Sequence, residues 1–163
     1  VRIEMICGKR VLDYLNMVND QNHQISVKLS AKMDKTAQAV ERLQEENFRL
    51  KGQVGQMVDD MCRKEAERYA GSGSVLIFMD GMDADSVRKL ADAVTQTCQG
   101  CCAVFSKNAD GSFKYAMGEK DGDLRQFTKE MNAKLNGRGG GKPFFVQGSV
   151  QATEEEIRRF FEQ

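Results

Sequence analysis

The chain has 163 residues and carries 24 Lys+Arg against 24 Asp+Glu, a formal net charge of zero. That length suits one ordinary domain or a small domain with an appendage, and the charge balance excludes a strongly basic nucleic-acid arm or an acidic tail. Apolar residues make up 40%, enough for a core, and no apolar run reaches the length of about 18 needed to span a bilayer. The opening Val1-Arg2-Ile3-Glu4-Met5-Ile6 has neither initiator Met nor signal-peptide layout, which reads as a piece of a longer chain. Cys7, Cys62, Cys98, Cys101 and Cys102 are odd in number and irregularly spaced. They argue against a disulfide framework and for a reducing compartment, the cytoplasm by default.

In chain order, residues 2–6 alternate and suit a short strand, with Gly8 as a break. Val11, Leu15, Val18, Ile25 and Leu29 recur at helical spacing, interrupted by Asn22, and predict a first helix over about residues 9–29. Ser30 is the expected N-cap of a second helix over about 31–68, with Asp34 in its first turn. That helix carries heptads: Met33, Val40, Asn47, Val54 and Met61 on one set, Thr36, Leu43, Leu50 and Met57 on the other. So narrow a stripe must pack on the first helix as an antiparallel hairpin, on a second copy of the chain, or on both. Asn47 at a seam position either sets register or marks a polar break, and Gly52 and Gly55 mark a kink, a close approach or mere tolerance.

Three of the 15 glycines precede residue 71 and twelve follow from there, so mixed structure is expected after Ala70-Gly71-Ser72-Gly73-Ser74, read as a flexible joint. Val75–Met79 reads as a buried strand, Asp83–Gln99 as an amphipathic helix and Cys101–Phe105 as a second strand. Asn108–Gly111 is a turn and Phe113–Met117 a third strand. Leu124, Phe127, Met131 and Leu135 give a helix stopping at Asn136-Gly137. A glycine loop, the stretch Pro143-Phe144-Phe145-Val146-Gln147, a short apolar strand about Ser149-Val150 and a helix over Glu154–Phe161, opened by the Thr153/Glu156 capping box, complete the chain. The expected fold is α+β: a long helical hairpin, coiled-coil-like, followed by a small α/β sheet domain.

The strongest local signal for chemistry is Gly137-Arg138-Gly139-Gly140-Gly141-Lys142-Pro143. Glycines let backbone N–H groups converge on an anion, Pro143 suits the first turn of a helix, and Arg138 and Lys142 add full charges. A flexible loop with no ligand is the bland alternative. The span 107–142 holds eight cations against five carboxylates, so neutral net charge hides a locally basic stretch that includes Arg125, Lys129 and Lys134. Cys98, Cys101 and Cys102 invite a zinc reading, but the single histidine, His23, lies in the helical half, so buried small residues are preferred and no metal is assigned. Asp80, Asp83 and Asp85 read as a turn and N-cap rather than metal carboxylates. No catalytic constellation emerges.

The glycine motif together with Gln147-Gly148 is similar to that of the DHH-associated domain in alanyl-tRNA synthetases and their free-standing editing relatives. The opening Arg2-Ile3-Glu4, Gly8-Lys9-Arg10 and Leu12 resembles the end of the alanyl-tRNA editing domain, where a last strand leads into a helical connector. The resemblance implies three parts: residues 1–8 as the last strand of an upstream editing domain, 9–70 as a dimerisation and spacer hairpin, and 71–163 as a nucleic-acid-binding domain. It also implies a partner, tRNA(Ala), and a parent that hydrolyses mischarged tRNA with zinc held by histidine and cysteine motifs upstream of this chain, which itself carries no cofactor. Where the family has Arg-Pro-Asp and small residues, this chain has the bulkier Lys142-Pro143-Phe144-Phe145. On that reading Gly137, Arg138, Gly139, Gly140, Gly141, Lys142, Gln147, Arg125, Lys129 and Lys134 contact nucleic acid. Val40, Leu43, Asn47, Leu50, Val54 and Met57 form a homodimer seam, with no membrane involved. The alternatives are a purely structural oligomerisation module and a phosphate- or nucleotide-binding enzyme.

Overall fold

The computed structural model describes residues 7–162, and the strand expected over residues 2–6 lies outside them. Helix α1 runs Lys9–Lys28, a 3-10 turn covers Met33–Lys35, and α2 runs Thr36–Arg68. Then follow β1 (Val75–Phe78), α3 (Ala84–Thr95), β2 (Cys102–Lys107), β3 (Phe113–Gly118), α4 (Leu124–Lys134), β4 (Arg138–Lys142), β5 (Phe145–Val150) and α5 (Glu154–Phe161). This is an α+β fold, as the sequence predicts. The chain forms two compact units that divide inside α2, one up to Val54 and one from Gly55 onward.

In the first unit the bend between the helices is held by polar side chains. Asn22 Nδ2 donates to the Met33 carbonyl (2.9 Å), Thr36 Oγ1 donates to Asn22 Oδ1 (2.8 Å), and Ser26 Oγ donates to the Ala31 carbonyl (2.6 Å). Asn22, which interrupts the apolar spacing in sequence, therefore clasps the turn. Ser30 does not cap α2. Its φ is 49°, and an N-cap requires β-region backbone, which Lys32 adopts instead ahead of the 3-10 turn. Away from the bend the expected hairpin packing is not made: residues 41–54 are all exposed, as are Leu12, Leu15 and Val18. The polar clasp pins only the junction, so the heptad stripe of α2 stays uncovered. Gly52 and Gly55 have open space where a side chain would stand, so they are tolerated rather than required.

The second unit begins with the last turns of α2. Cys62 and Ala66, one turn apart, are buried, and Val58, Met61 and Tyr69 pack on the same core. Met61 thus belongs to this core and not to the exposed seam that its heptad position suggests. The Gly/Ser joint is also pinned rather than free. Gly71 N donates to the Thr97 carbonyl (3.0 Å) and Gln99 N donates to the Ser72 carbonyl (2.7 Å), tying it to the loop after α3.

The sheet has the order β1-β2-β3-β5-β4, parallel between β1 and β2 and antiparallel elsewhere. Side chains alternate across it. Val75, Ile77, Cys102, Val104 and Ala116 face α3 and the end of α2, while Phe105, Phe113, Tyr115, Met117, Val146 and Val150 face α4 and α5. Burial on both faces explains why the strands read as continuous apolar runs. The expected caps are present. Asp83 accepts from Ser86 N (2.7 Å), Thr153 and Glu156 form the capping box, and Gly111 N closes its turn on the Asn108 carbonyl (3.1 Å). At the end of α4 it is Asn136, φ 49°, that turns left-handed, and Gly137 N then donates back to the Asn132 carbonyl (2.8 Å).

Candidate nucleic-acid interface

The glycine run is not a loop leading into a helix. Arg138–Lys142 is an extended edge strand, registered Arg138↔Ser149 through Lys142↔Phe145 on β5, and Pro143 heads the hairpin turn that follows. An anion nest needs left-handed backbone, and the left-handed glycines among the described residues are Gly8, Gly71, Gly81 and Gly111. The run is glycine for another reason. A Cβ at Gly139, Gly141 or Gly148 would fall under 3.0 Å from backbone carbonyl oxygens of the paired strand. The Tyr115 hydroxyl crowds the Gly139 and Gly148 positions as well, and it donates to Asn132 Oδ1 (3.1 Å), whose amide donates to the Gly139 carbonyl (3.3 Å). Gly140, by contrast, has nothing within 4 Å of its Cβ position.

Gly139→Ala or Gly148→Ala should accordingly destabilise by about 1–3 kcal/mol through overpacking, while Gly140→Ala should stay within about 0.5 kcal/mol of wild type. Urea unfolding of the three variants measures this. Equal losses at 139 and 140 would show that crowding is not what demands glycine.

All five residues of β4 are exposed, so the sheet ends in a ledge of bare backbone with a cation at each end. Register places Arg138, Gly140 and Lys142 on the α3 face with Gln147, and Gly139 and Gly141 on the α4 face. A cleft lies on each side of the ledge. The one against α4 holds about 440 Å³ and is lined by Asp123, Arg125, Lys129 and the three glycines of the strand. The one against α3 holds about 460 Å³ and is lined by Asp85, Arg88, Asp92, Lys142, Phe144 and Gln147.

The predicted basic residues differ in what they do. Arg125 is engaged: Nε donates to Asp123 Oδ1 (2.9 Å) and Nη2 to Oδ2 (2.6 Å), which holds the Asp123 carboxyl at about 2. Lys129, one turn further along α4, lines the same cleft without a partner among the described residues. Lys134 lies outside both clefts, its ammonium 5.3 Å from the Phe160 ring centroid. Gly137 sits at the helix–strand junction, also away from them. Arg88 was missed by sequence reasoning. With Asp85 and Asp92 it forms the polar side of α3 at helical spacing, opposite Val87, Leu90 and Val94, but nothing in the sequence brings that side to β4.

Cys98 and Cys102 are buried and Cys101 partly so, and burial pushes the Cys101 thiol up to about 12. All five cysteines are free thiols, and no cluster among the described residues has the makings of a metal site. Among those residues no helix is long and apolar enough to cross a membrane. On α2, Val40, Leu43, Asn47, Leu50, Val54 and Met57 are exposed, and Phe48, which the heptads did not select, is 82% exposed.

Residues 72–163 match the DHHA1 domain. The chain is 27% identical over 157 residues to the alanine–tRNA ligase of Thiobacillus denitrificans, covering 87% of this chain and 18% of that protein. It is 27% identical over 160 residues to the alanine–tRNA ligase of Dehalococcoides mccartyi, covering 90% and 18%. The chain thus spans about a fifth of the length of these relatives. Among solved structures it is similar to the C-Ala domain of Aquifex aeolicus alanyl-tRNA synthetase, with 19% identity, TM-score 0.48, and coverage of 57% of this chain and 92% of that one. With more than half its length matched, from the joint before β1 to the C-terminal helix, this chain belongs to the DHHA1 domain family.

Proposed function

We propose that the chain is the tRNA-binding and self-association module of an alanyl-tRNA-synthetase-like protein. The observation that supports it is the bare β4 ledge, with Arg138 and Lys142 on one face and Lys129 beside Arg125 on the other, in a chain whose relatives are alanine–tRNA ligases. Glycines let a polynucleotide backbone approach to van der Waals distance, and cations at both ends of the strand favour phosphate. The exposed stripe of α2 is the surface for a second copy. In this reading the chain binds and assembles without a cofactor of its own. Hydrolysis of mischarged tRNA(Ala), with its zinc, belongs to other parts of a larger cytoplasmic protein.

Titration with labelled tRNA(Ala) and an unrelated tRNA, at low and moderate salt, tests the binding. Affinity should fall steeply with salt, and Arg138→Ala/Lys142→Ala should flatten the log–log slope by about 1.5–2 while weakening binding at low salt. Preference for tRNA(Ala) would tie the site to alanine decoding. No binding by wild type, beside a stable dimer, would leave the structural module as the function.

A further inference from the structure

We propose that the cleft between α3 and the β4–β5 hairpin receives an unpaired nucleobase stacked on Phe144, an inference that rests on the RNA-binding reading above. Among the described residues of the sheet layer, Phe144 is the large apolar side chain left exposed, at 51%, while its neighbour Phe145 packs against the core. A phenyl ring on a hairpin tip contributes little to folding. Its backbone is nevertheless held in place, since the Pro143 carbonyl accepts from Leu124 N (2.7 Å) and the Phe144 carbonyl accepts from Glu119 N (3.0 Å). Proline and two cross-loop hydrogen bonds fix the backbone that carries the ring, so only its side-chain rotamers remain to be ordered on binding.

The surroundings suit a nucleotide, base and phosphate together: Arg88, Lys89 and Lys142 face two carboxylates in the cleft, with Lys89 engaged by Asp59 (3.0 Å). Lys142 Nζ lies 5.7 Å from the Phe144 ring centroid, where it can meet the phosphate attached to a stacked nucleotide. Asp85, Asp92, Arg88 and Gln147, all exposed, line the same cleft. Carboxylates repel phosphate but accept hydrogen bonds from the amino and imino groups of a base, and the amide of Gln147 can both donate and accept. At about 460 Å³ the cleft is roomy enough for a nucleoside. Across the ledge, the α4 cleft has Lys129 and an Asp123 already occupied by Arg125, which suits the sugar–phosphate side. A strand could therefore cross the thin glycine edge with its backbone towards one cleft and a base in the other. A base inside a duplex has its pairing edge and both faces taken, so the cleft selects unpaired residues.

The test compares the full chain with Phe144→Ala and Phe144→Tyr on two labelled RNAs of equal charge, a hairpin with an adenine loop and a blunt duplex. Phe144→Ala should weaken loop binding on the order of tenfold, leave duplex binding and the salt slope unchanged, and be rescued by Phe144→Tyr. An unchanged urea midpoint in Phe144→Ala would exclude unfolding as the cause. Salt-sensitive binding of both RNAs with no effect of Phe144→Ala, or an equal loss on both, overturns the stacking site and leaves RNA binding standing. Failure of wild type to bind either RNA overturns both.

Discussion

Phe105→Ala is expected to remove about 3–5 kcal/mol of stability from the second unit. Phe105 is fully buried on β2, and its ring lies 5.6 Å from that of Phe78, 5.8 Å from Tyr115 and 5.8 Å from Phe161. Those partners come from β1, β3 and α5, so truncation opens a cavity where three elements meet. It also weakens the hold on α5, since Phe78 carries the Arg158 guanidinium 4.4 Å above its ring and Phe161 packs in turn on Phe127 of α4. The interior cannot collapse to fill the void without moving a helix off the sheet. Urea denaturation followed by far-UV circular dichroism reads the loss, and Phe105→Leu should recover most of it. A loss below about 1 kcal/mol for the alanine variant would show that the aromatic cluster is not the keystone of this unit.

If the chain self-associates through the α2 stripe as proposed, Leu43→Asp or Leu50→Asp is expected to raise the dissociation constant at least about a hundredfold, because either would bury an unpaired carboxylate in an apolar seam. Both leucines are exposed in the single chain, Leu43 at 54%, so neither substitution should cost the fold of the monomer more than a few tenths of a kcal/mol. Sedimentation velocity over a concentration series separates the two effects, with circular dichroism as the control for helix content. A second copy packing on this stripe would also enclose Val54, one helical turn beyond Leu50. If the aspartate variants associate as wild type does, the stripe is not the seam.

Much of the second unit was legible because its signals are local. The apolar runs at Val75–Met79 and Cys101–Phe105, the Asp83 cap, the Asn108–Gly111 turn and the Thr153/Glu156 box all depend on neighbours within a few residues, and each appears where expected. The glycine run was misread for the complementary reason. A stretch of glycines has no side-chain alternation to announce a strand, and its pairing with β5 and the approach of Tyr115 come from residues up to about two dozen positions away. The Gly/Ser joint misled in the same way, since the carbonyl of Thr97 that fixes Gly71 is remote in sequence. Asn22 looked like a flaw in a helix because its partners, Met33 and Thr36, lie beyond the bend.

By itself the amino-acid sequence determined the element types outside the glycine run and most of their ends, the helical-then-mixed order, the heptad stripe of α2 and the basic residues near the glycines. These follow from side-chain periodicity and capping, which act within a turn or a strand. Only the tertiary structure decided that the glycines form an edge strand, that Met61 leaves the seam for the core, that Lys134 lies outside the clefts, and that Arg88 and Phe144 share one. Those outcomes depend on which backbone passes close to which and on which helix face meets the sheet edge, and such contacts are set by packing across the whole unit.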